Sequence, residues 1–103
     1  DTIIIVKTEI EGMLEKQYID DSDEYAAFKL AYWYEKFSPE IDLEKSYLWY
    51  SVAVSSGNYK AMKLRDRVGE SLENEILLEL QKEAFDIFTK QKYLKESKSG
   101  DSL

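Results

Sequence analysis

The sequence predicts an all-α fold, a short α-α superhelix of about five helices packed as antiparallel pairs. Apolar residues recur at helical spacing through most of the 103 residues, and no turn signal joins two alternating runs. In addition, Tyr25–Leu30 (YAAFKL) returns 34 residues later as Tyr59–Leu64 (YKAMKL). A period of about 34 residues fits one helix–turn–helix unit of a stacked-helix repeat, in which each unit buries its neighbour's apolar face. The repeat therefore indicates a scaffold.

The first predicted helix covers Thr2–Tyr18, where apolar side chains follow helical spacing from Ile3 to Tyr18. After a polar break, Asp21 or Ser22 is a candidate cap for the second helix, which runs to Phe37. That helix is apolar nearly all round, so we expect it to lie between two neighbours.

The third and fourth helices are joined by a tight turn. Asp42 is the expected cap of the third helix, Leu43–Ser56, and Gly57 the expected left-handed residue that ends it. Asn58 is the expected cap of the fourth helix, which reaches about Val68.

A fifth helix is expected over Glu73–Lys92. One face of it carries Leu77, Leu80, Ala84, Ile87, Phe88 and Gln91. Residues 95–103 are rich in Lys, Ser, Gly and acids, and we expect them to form a flexible tail.

Composition predicts a soluble globular domain, with 44% hydrophobic and 34% charged residues. The chain has no Cys and no His, which excludes thiolate nucleophiles, Cys/His zinc sites and imidazole bases. We therefore expect no catalysis, no cofactor and no metal. The absence of Cys does not fix the compartment, because the cytoplasm and, after removal of a signal peptide, the periplasm would both tolerate this chain.

The charge pattern argues against nucleic acid as a partner, and the hydropathy pattern argues against a membrane span. All of the net charge of −7 lies in residues 1–57, whereas nucleic-acid binding needs an excess of Lys and Arg. No apolar run approaches the roughly 18 residues needed to span a bilayer. We expect no nucleic acid as partner and no membrane span.

One stretch of the chain resembles a known repeat. Small, aromatic and charged residues follow one another in a fixed order: Ala26, Leu30, Ala31, Tyr34, Asp42, Lys45, Ser46, Trp49, Tyr50, Ala53, Val54, Gly57 and Ala61. This order resembles the Sel-one-like repeat family, a branch of the tetratricopeptide-type helical solenoids. The sequence departs from the family pattern at Ala31, where Gly is usual, and at Ser46 and Val54, where Ala is usual; the loop around Pro39 is shorter and lacks two glycines.

The resemblance implies one helical-repeat domain over residues 1–94. It would consist of an N-terminal helix (2–18), one full repeat (22–57), and a degenerate unit with a C-terminal cap (58–92) like the closing segment of bacterial members. It also implies a function in protein–protein interaction.

Two groups of side chains are candidate partner-binding residues. Tyr25, Phe28 and Tyr32 form a second aromatic stripe on the second helix, which either lines a groove for a partner or packs against the first helix. Lys63 and Arg67 belong to a basic cluster that also contains Lys60 and Arg65. This cluster either receives an acidic peptide or a carboxylate terminus, or pairs with the acidic front of this chain or of another copy.

Acidic clusters elsewhere are better interpreted as solvated surface. The run from Asp20 to Asp23 lacks the twelve-residue calcium loop with its central Gly, and the glutamates between 73 and 83 have no His beside them. Neither group predicts a metal site.

The predicted function is that of an adaptor, which binds a partner protein or peptide in a helical groove. The alternative is an acidic inhibitor or immunity-type protein that plugs the basic cleft of a toxin or enzyme. A third interpretation, that the chain is the end fragment of a longer solenoid, is compatible with either function. Self-association through an uncovered repeat face would support it.

Overall fold

Five α-helices and one π-helix make up the regular structure of residues 2–21 and 23–101, which the computed structural model describes. They are α1 (Thr2–Asp21), α2 (Glu24–Tyr32), α3 (Leu43–Ser55), α4 (Ala61–Gly69) and α5 (Asn74–Asp101). The π-helix, Trp33–Phe37, continues directly from α2. These ranges contain no strand, so the all-α prediction is confirmed. The superhelical arrangement of repeated pairs stays a prediction.

The core is built around α3. This helix packs against α2, α4 and α5, and α1 packs against α2. Every residue of α3 from Ser46 to Ala53 is buried. Tyr18 of α1 reaches α3, where its ring meets Trp49 edge-on with 5.9 Å between ring centroids. The expectation that the second helix lies between two neighbours matches this arrangement.

Two aspartates cap helices, and one of them is not the residue we expected. Asp42 accepts a hydrogen bond from the backbone N–H of Lys45 at 3.0 Å, as predicted for the start of α3. The cap of α2 is Asp23, whose Oδ1 accepts from the N–H of Tyr25 at 2.9 Å. The prediction of Asp21 was wrong because α1 continues through that residue. The other candidate, Ser22, lies outside the described residues.

Gly57 ends α3 in the predicted conformation, with a φ of 109°. Its N–H donates to the carbonyl of Val54 at 3.1 Å, and the N–H of Asn58 donates to that of Ala53 at 2.9 Å. These two bonds define a Schellman motif, which satisfies the last carbonyls of the helix. Asn58 therefore closes α3 and does not cap α4, which begins at Ala61 without a side-chain cap.

α5 is longer than predicted. It continues as helix to Asp101, through most of the stretch expected as a flexible tail, while residues 102–103 lie outside the described part. Lys and Glu at 95–96 are good helix formers that extend an established helix at little cost. Leu80, Ala84 and Gln91 are buried on the predicted face. Among the described residues, no helix has the length and apolarity that crossing a bilayer requires.

Candidate functional site

An open groove lies between α1 and the segment formed by α2 and the π-helix. Its volume is about 260 Å³. The lining side chains are apolar or aromatic apart from one lysine: Leu14, Phe28, Lys29, Tyr32, Trp33 and Phe37. Sites for drug-sized ligands usually run from about 300 to 1,000 Å³. The groove therefore suits one or two apolar side chains of a partner better than a cofactor.

Three aromatic rings form one continuous wall of the groove. The ring of Tyr32 packs edge-on against Phe28, with 6.4 Å between centroids, and against Phe37, with 5.4 Å. Phe37 is 65% exposed and Tyr32 is 37% exposed. Large aromatic side chains that remain this accessible are typical anchors for a partner.

The π-helix determines which side chains reach the groove. The N–H of Ser38 donates to the carbonyl of Trp33, five residues earlier, at 2.8 Å. In this wider turn Trp33 and Phe37 both line the groove, while Tyr34 between them is buried.

A buried carboxylate holds Trp33, one of the side chains that line the groove. Glu11 of α1 accepts hydrogen bonds from the indole N–H of Trp33 at 3.0 Å and from the hydroxyl of Tyr34 at 2.8 Å. The ammonium of Lys7 lies 3.0 Å from the same carboxylate. Burial disfavours its charged form, but the three donors outweigh burial and lower the pKa of Glu11. Glu11 therefore holds Trp33 in place as a carboxylate at neutral pH.

A second glutamate, one turn along α1, has the opposite shift. Burial and the nearby charge of Glu11 raise the pKa of Glu15, and Lys45 offsets them only in part. The ionised form of Glu15 therefore destabilises the folded state.

A second polar network joins α4 to the π-helix and to Tyr50 of α3, against which Phe28 packs. The hydroxyl of Tyr50 donates to Glu35 at 2.8 Å, and the guanidinium of Arg67 pairs with the same carboxylate. Burial first, then the bond to Glu35, raises the pKa of Tyr50. The hydrogen bond from Arg67 to Glu35 raises the pKa of Arg67. The ion pair with Glu35 therefore places the guanidinium of Arg67 beside the π-helix.

The structure divides the predicted site residues between the groove and its surroundings. Phe28 and Tyr32 line the groove. Phe28 also packs against Tyr50 of α3, with 5.7 Å between ring centroids. Tyr25 is 61% exposed and lines a separate shallow cleft at the α3–α4 turn. Lys63 is exposed on α4, one turn before Arg67.

The predicted basic cluster divides between two faces of the molecule. Arg65 pairs with Asp66 at 3.1 Å and lines a cleft beside Gln81 and Phe85 of α5. Arg67 points to the opposite side, toward Glu35.

The sequence pattern missed several residues of the site. Glu11 falls on the same helical stripe as the buried Leu14 and Tyr18, and a charged residue in an apolar stripe was the available signal. Trp33 and Phe37 gave no comparable signal, because their placement depends on the π-helix.

Among the side chains that the structure describes, no group of three or more acidic residues is placed to hold a metal ion. Comparisons of the chain with models of known protein families, with curated proteins and with solved structures gave no match. The geometry of the groove is therefore the basis for assigning a function.

Proposed function

We propose that this protein is a non-catalytic adaptor that captures a partner protein or peptide in the groove between α1 and the α2–π-helix segment. The observation that carries the proposal is the continuous wall of Phe28, Tyr32 and Phe37 facing a groove of about 260 Å³. An apolar side chain of the partner fills this groove and excludes water from the three rings.

Contacts with the rest of the protein fix two of the aromatic side chains that line the groove before a partner binds. Trp33 is held by Glu11, and Phe28 rests on Tyr50, which is itself bonded to Glu35. Side chains that are already fixed lose little conformational entropy on binding. A small contact area can then give useful affinity.

Selection from a library of random 16-residue peptides tests the proposal. The purified chain is immobilised, bound peptides are enriched, and the dissociation constant of each enriched peptide is measured in solution. We expect enriched peptides to carry one or two large apolar residues and to bind Phe37→Ala at least about tenfold more weakly, as for a central anchor. Peptides that bind wild type and Phe37→Ala equally well would refute the groove as the site.

Tyr93→Ala is the matched control for an aromatic truncation. Tyr93 is 68% exposed on α5 and does not line the groove. Its replacement should leave the affinity of the same peptides unchanged. A loss equal to that of Phe37→Ala would mean that exposed aromatic side chains bind peptides without specificity.

A further inference from the structure

One exposed stripe of the second helix alternates tyrosine with lysine. Tyr25, Lys29 and Tyr32 are separated by four and three residues, which places them on one side of α2, and Lys36 follows in the π-helix. All four side chains are exposed, and Lys29 and Tyr32 also line the groove. The apolar groove thus opens directly beside two cations.

A row of cations on α4 borders the same surface. Lys63 and Arg67 are four residues apart and lie along one side of α4, and Lys60 lies directly before the first residue of this helix. At one end of the row, Lys60 lines a cleft together with Tyr25. At the other end, Arg67 pairs with Glu35 of the π-helix. We call the two rows together the tyrosine–lysine surface.

The charge of this surface is opposite to that of the whole chain. The chain has a net charge of −7, yet this surface carries Lys29, Lys36, Lys60, Lys63 and Arg67. Glu35, the carboxylate that contacts Lys36 and Arg67, has a side chain only 8% exposed. A ligand approaching the surface therefore meets mainly ammonium groups and tyrosine rings.

We propose that the partner segment is acidic, with one or two apolar anchor residues flanked by Asp and Glu. The anchor enters the groove, while the flanking carboxylates lie against Lys29 and Lys36 beside it and extend across the α2–π-helix segment toward Lys63 and Arg67 of α4. The inference rests on the proposed function, because it names the chemistry of the segment that the groove captures. Complementary charge at the rim then selects among segments with similar anchors.

A protein segment fits this surface better than another polyanion. The lining of the groove is apolar apart from Lys29. The hydrocarbon side chain of a peptide fills such a groove directly, whereas a nucleic acid would have to stack a base on its aromatic rings. The requirement for an anchor is therefore the property that separates a peptide from a phosphate polymer.

The flanks of a selected peptide provide the test. The tightest peptide from the library is resynthesised with its anchor kept and its flanks changed to Asp/Glu, Ser/Gly or Lys/Arg. Binding of the three fluorescent peptides is measured at 150 mM salt. We expect the acidic version to bind roughly tenfold more tightly than the basic one, because several modest surface ion pairs act together.

Charge reversal on the protein supplies the second arm. The double variant Lys29→Glu with Lys36→Glu should abolish or invert the preference for acidic flanks. The control double variant, Lys90→Glu with Lys92→Glu on α5, makes the same change in net charge away from the groove and should keep the preference.

The outcomes separate this inference from the proposed function. Equal affinity for all three peptides, or selected peptides with basic flanks, would overturn the acidic partner and leave the groove intact. Failure to enrich any peptide that depends on Phe37 would overturn both. If an acidic peptide whose anchor is changed to Ser, or a single-stranded RNA, binds as tightly as the anchored acidic peptide, the surface is a general polyanion site and the inference is wrong.

Discussion

Glu11 is the carboxylate on which three side chains of the groove region converge. Trp33, Tyr34 and Lys7 all donate to it, and it joins α1 to the helix segment that carries the aromatic wall. A buried charge is costly unless its hydrogen bonds are complete. Here two neutral donors and one ammonium complete them, so the residue stabilises the fold as an anion.

Replacing Glu11 with Gln should destabilise the protein by about 1–3 kcal/mol, because one amide oxygen cannot accept from all three donors and the amide N–H₂ faces another donor. The free energy of unfolding from urea titration at pH 7 measures this. Glu15→Gln is the control, since burial already disfavours the charge of Glu15. That variant should be neutral or stabilising, and equal losses in both variants would contradict the assigned roles.

The same pair of glutamates predicts a dependence of stability on pH. The folded pKa of Glu11 lies below its ordinary value of 4.5, so its contribution is complete above about pH 4.5 and is lost as the pH falls through the folded pKa. Glu15 acts in the opposite direction, because its raised pKa makes the ionised form costly above that pKa. Between pH 7 and pH 3, the free energy of unfolding should fall less steeply with decreasing pH for Glu11→Gln than for Glu15→Gln. The reverse order would contradict the assignment.

At the scale of elements, much of the fold could be predicted from the sequence. The spacing of apolar residues located the helices, Asp42 marked the start of α3, and Gly57 marked its end. The π-helix could not be predicted in this way, since it depends on how the Trp33–Phe37 turn packs against α1 and α3. For the same reason only Phe28 and Tyr32 of the groove were found in advance.

Two glycines in different conformations give opposite predictions for the same substitution. At Gly57 the φ of 109° is unfavourable for any residue with a Cβ, so Gly57→Ala should cost about 1 kcal/mol or more. At Gly12, inside α1, an added Cβ meets nothing within 4 Å, so Gly12→Ala should stabilise by about 0.5–1 kcal/mol. Thermal unfolding of both variants measures the difference. The same sign in both would show that one of the two backbone assignments is wrong.

At the scale of the whole molecule, the net charge is negative, whereas the tyrosine–lysine surface is positively charged. The chain measures 46 × 35 × 22 Å. The Debye length, the distance beyond which salt screens the interaction between charges, is about 30 Å at 0.01 M salt but only about 8 Å at 0.15 M. At low salt an approaching peptide therefore responds to the net charge of −7, and at physiological salt mainly to the nearby cations.

An acidic peptide should consequently associate faster at 0.15 M salt than at 0.01 M salt, because salt removes the long-range repulsion first. Stopped-flow fluorescence measures the association rate. The alternative function, an acidic inhibitor of a basic cleft, predicts the opposite, a steep fall in the association rate of its basic partner as salt rises. A basic ligand that is slowed in this way and does not depend on Phe37 would favour the alternative.

The most direct test of the groove uses the two tryptophans of the chain. Trp33 lines the groove, whereas Trp49 is buried against Tyr18 of α1. In a ¹H–¹⁵N spectrum the two indole N–H signals are separate reporters, which single Trp→Phe variants assign. Titration with a selected peptide should shift the Trp33 signal and leave the Trp49 signal in place. If the peptide saturates the protein while Trp33 stays unchanged, the partner binds elsewhere and the proposed groove is wrong.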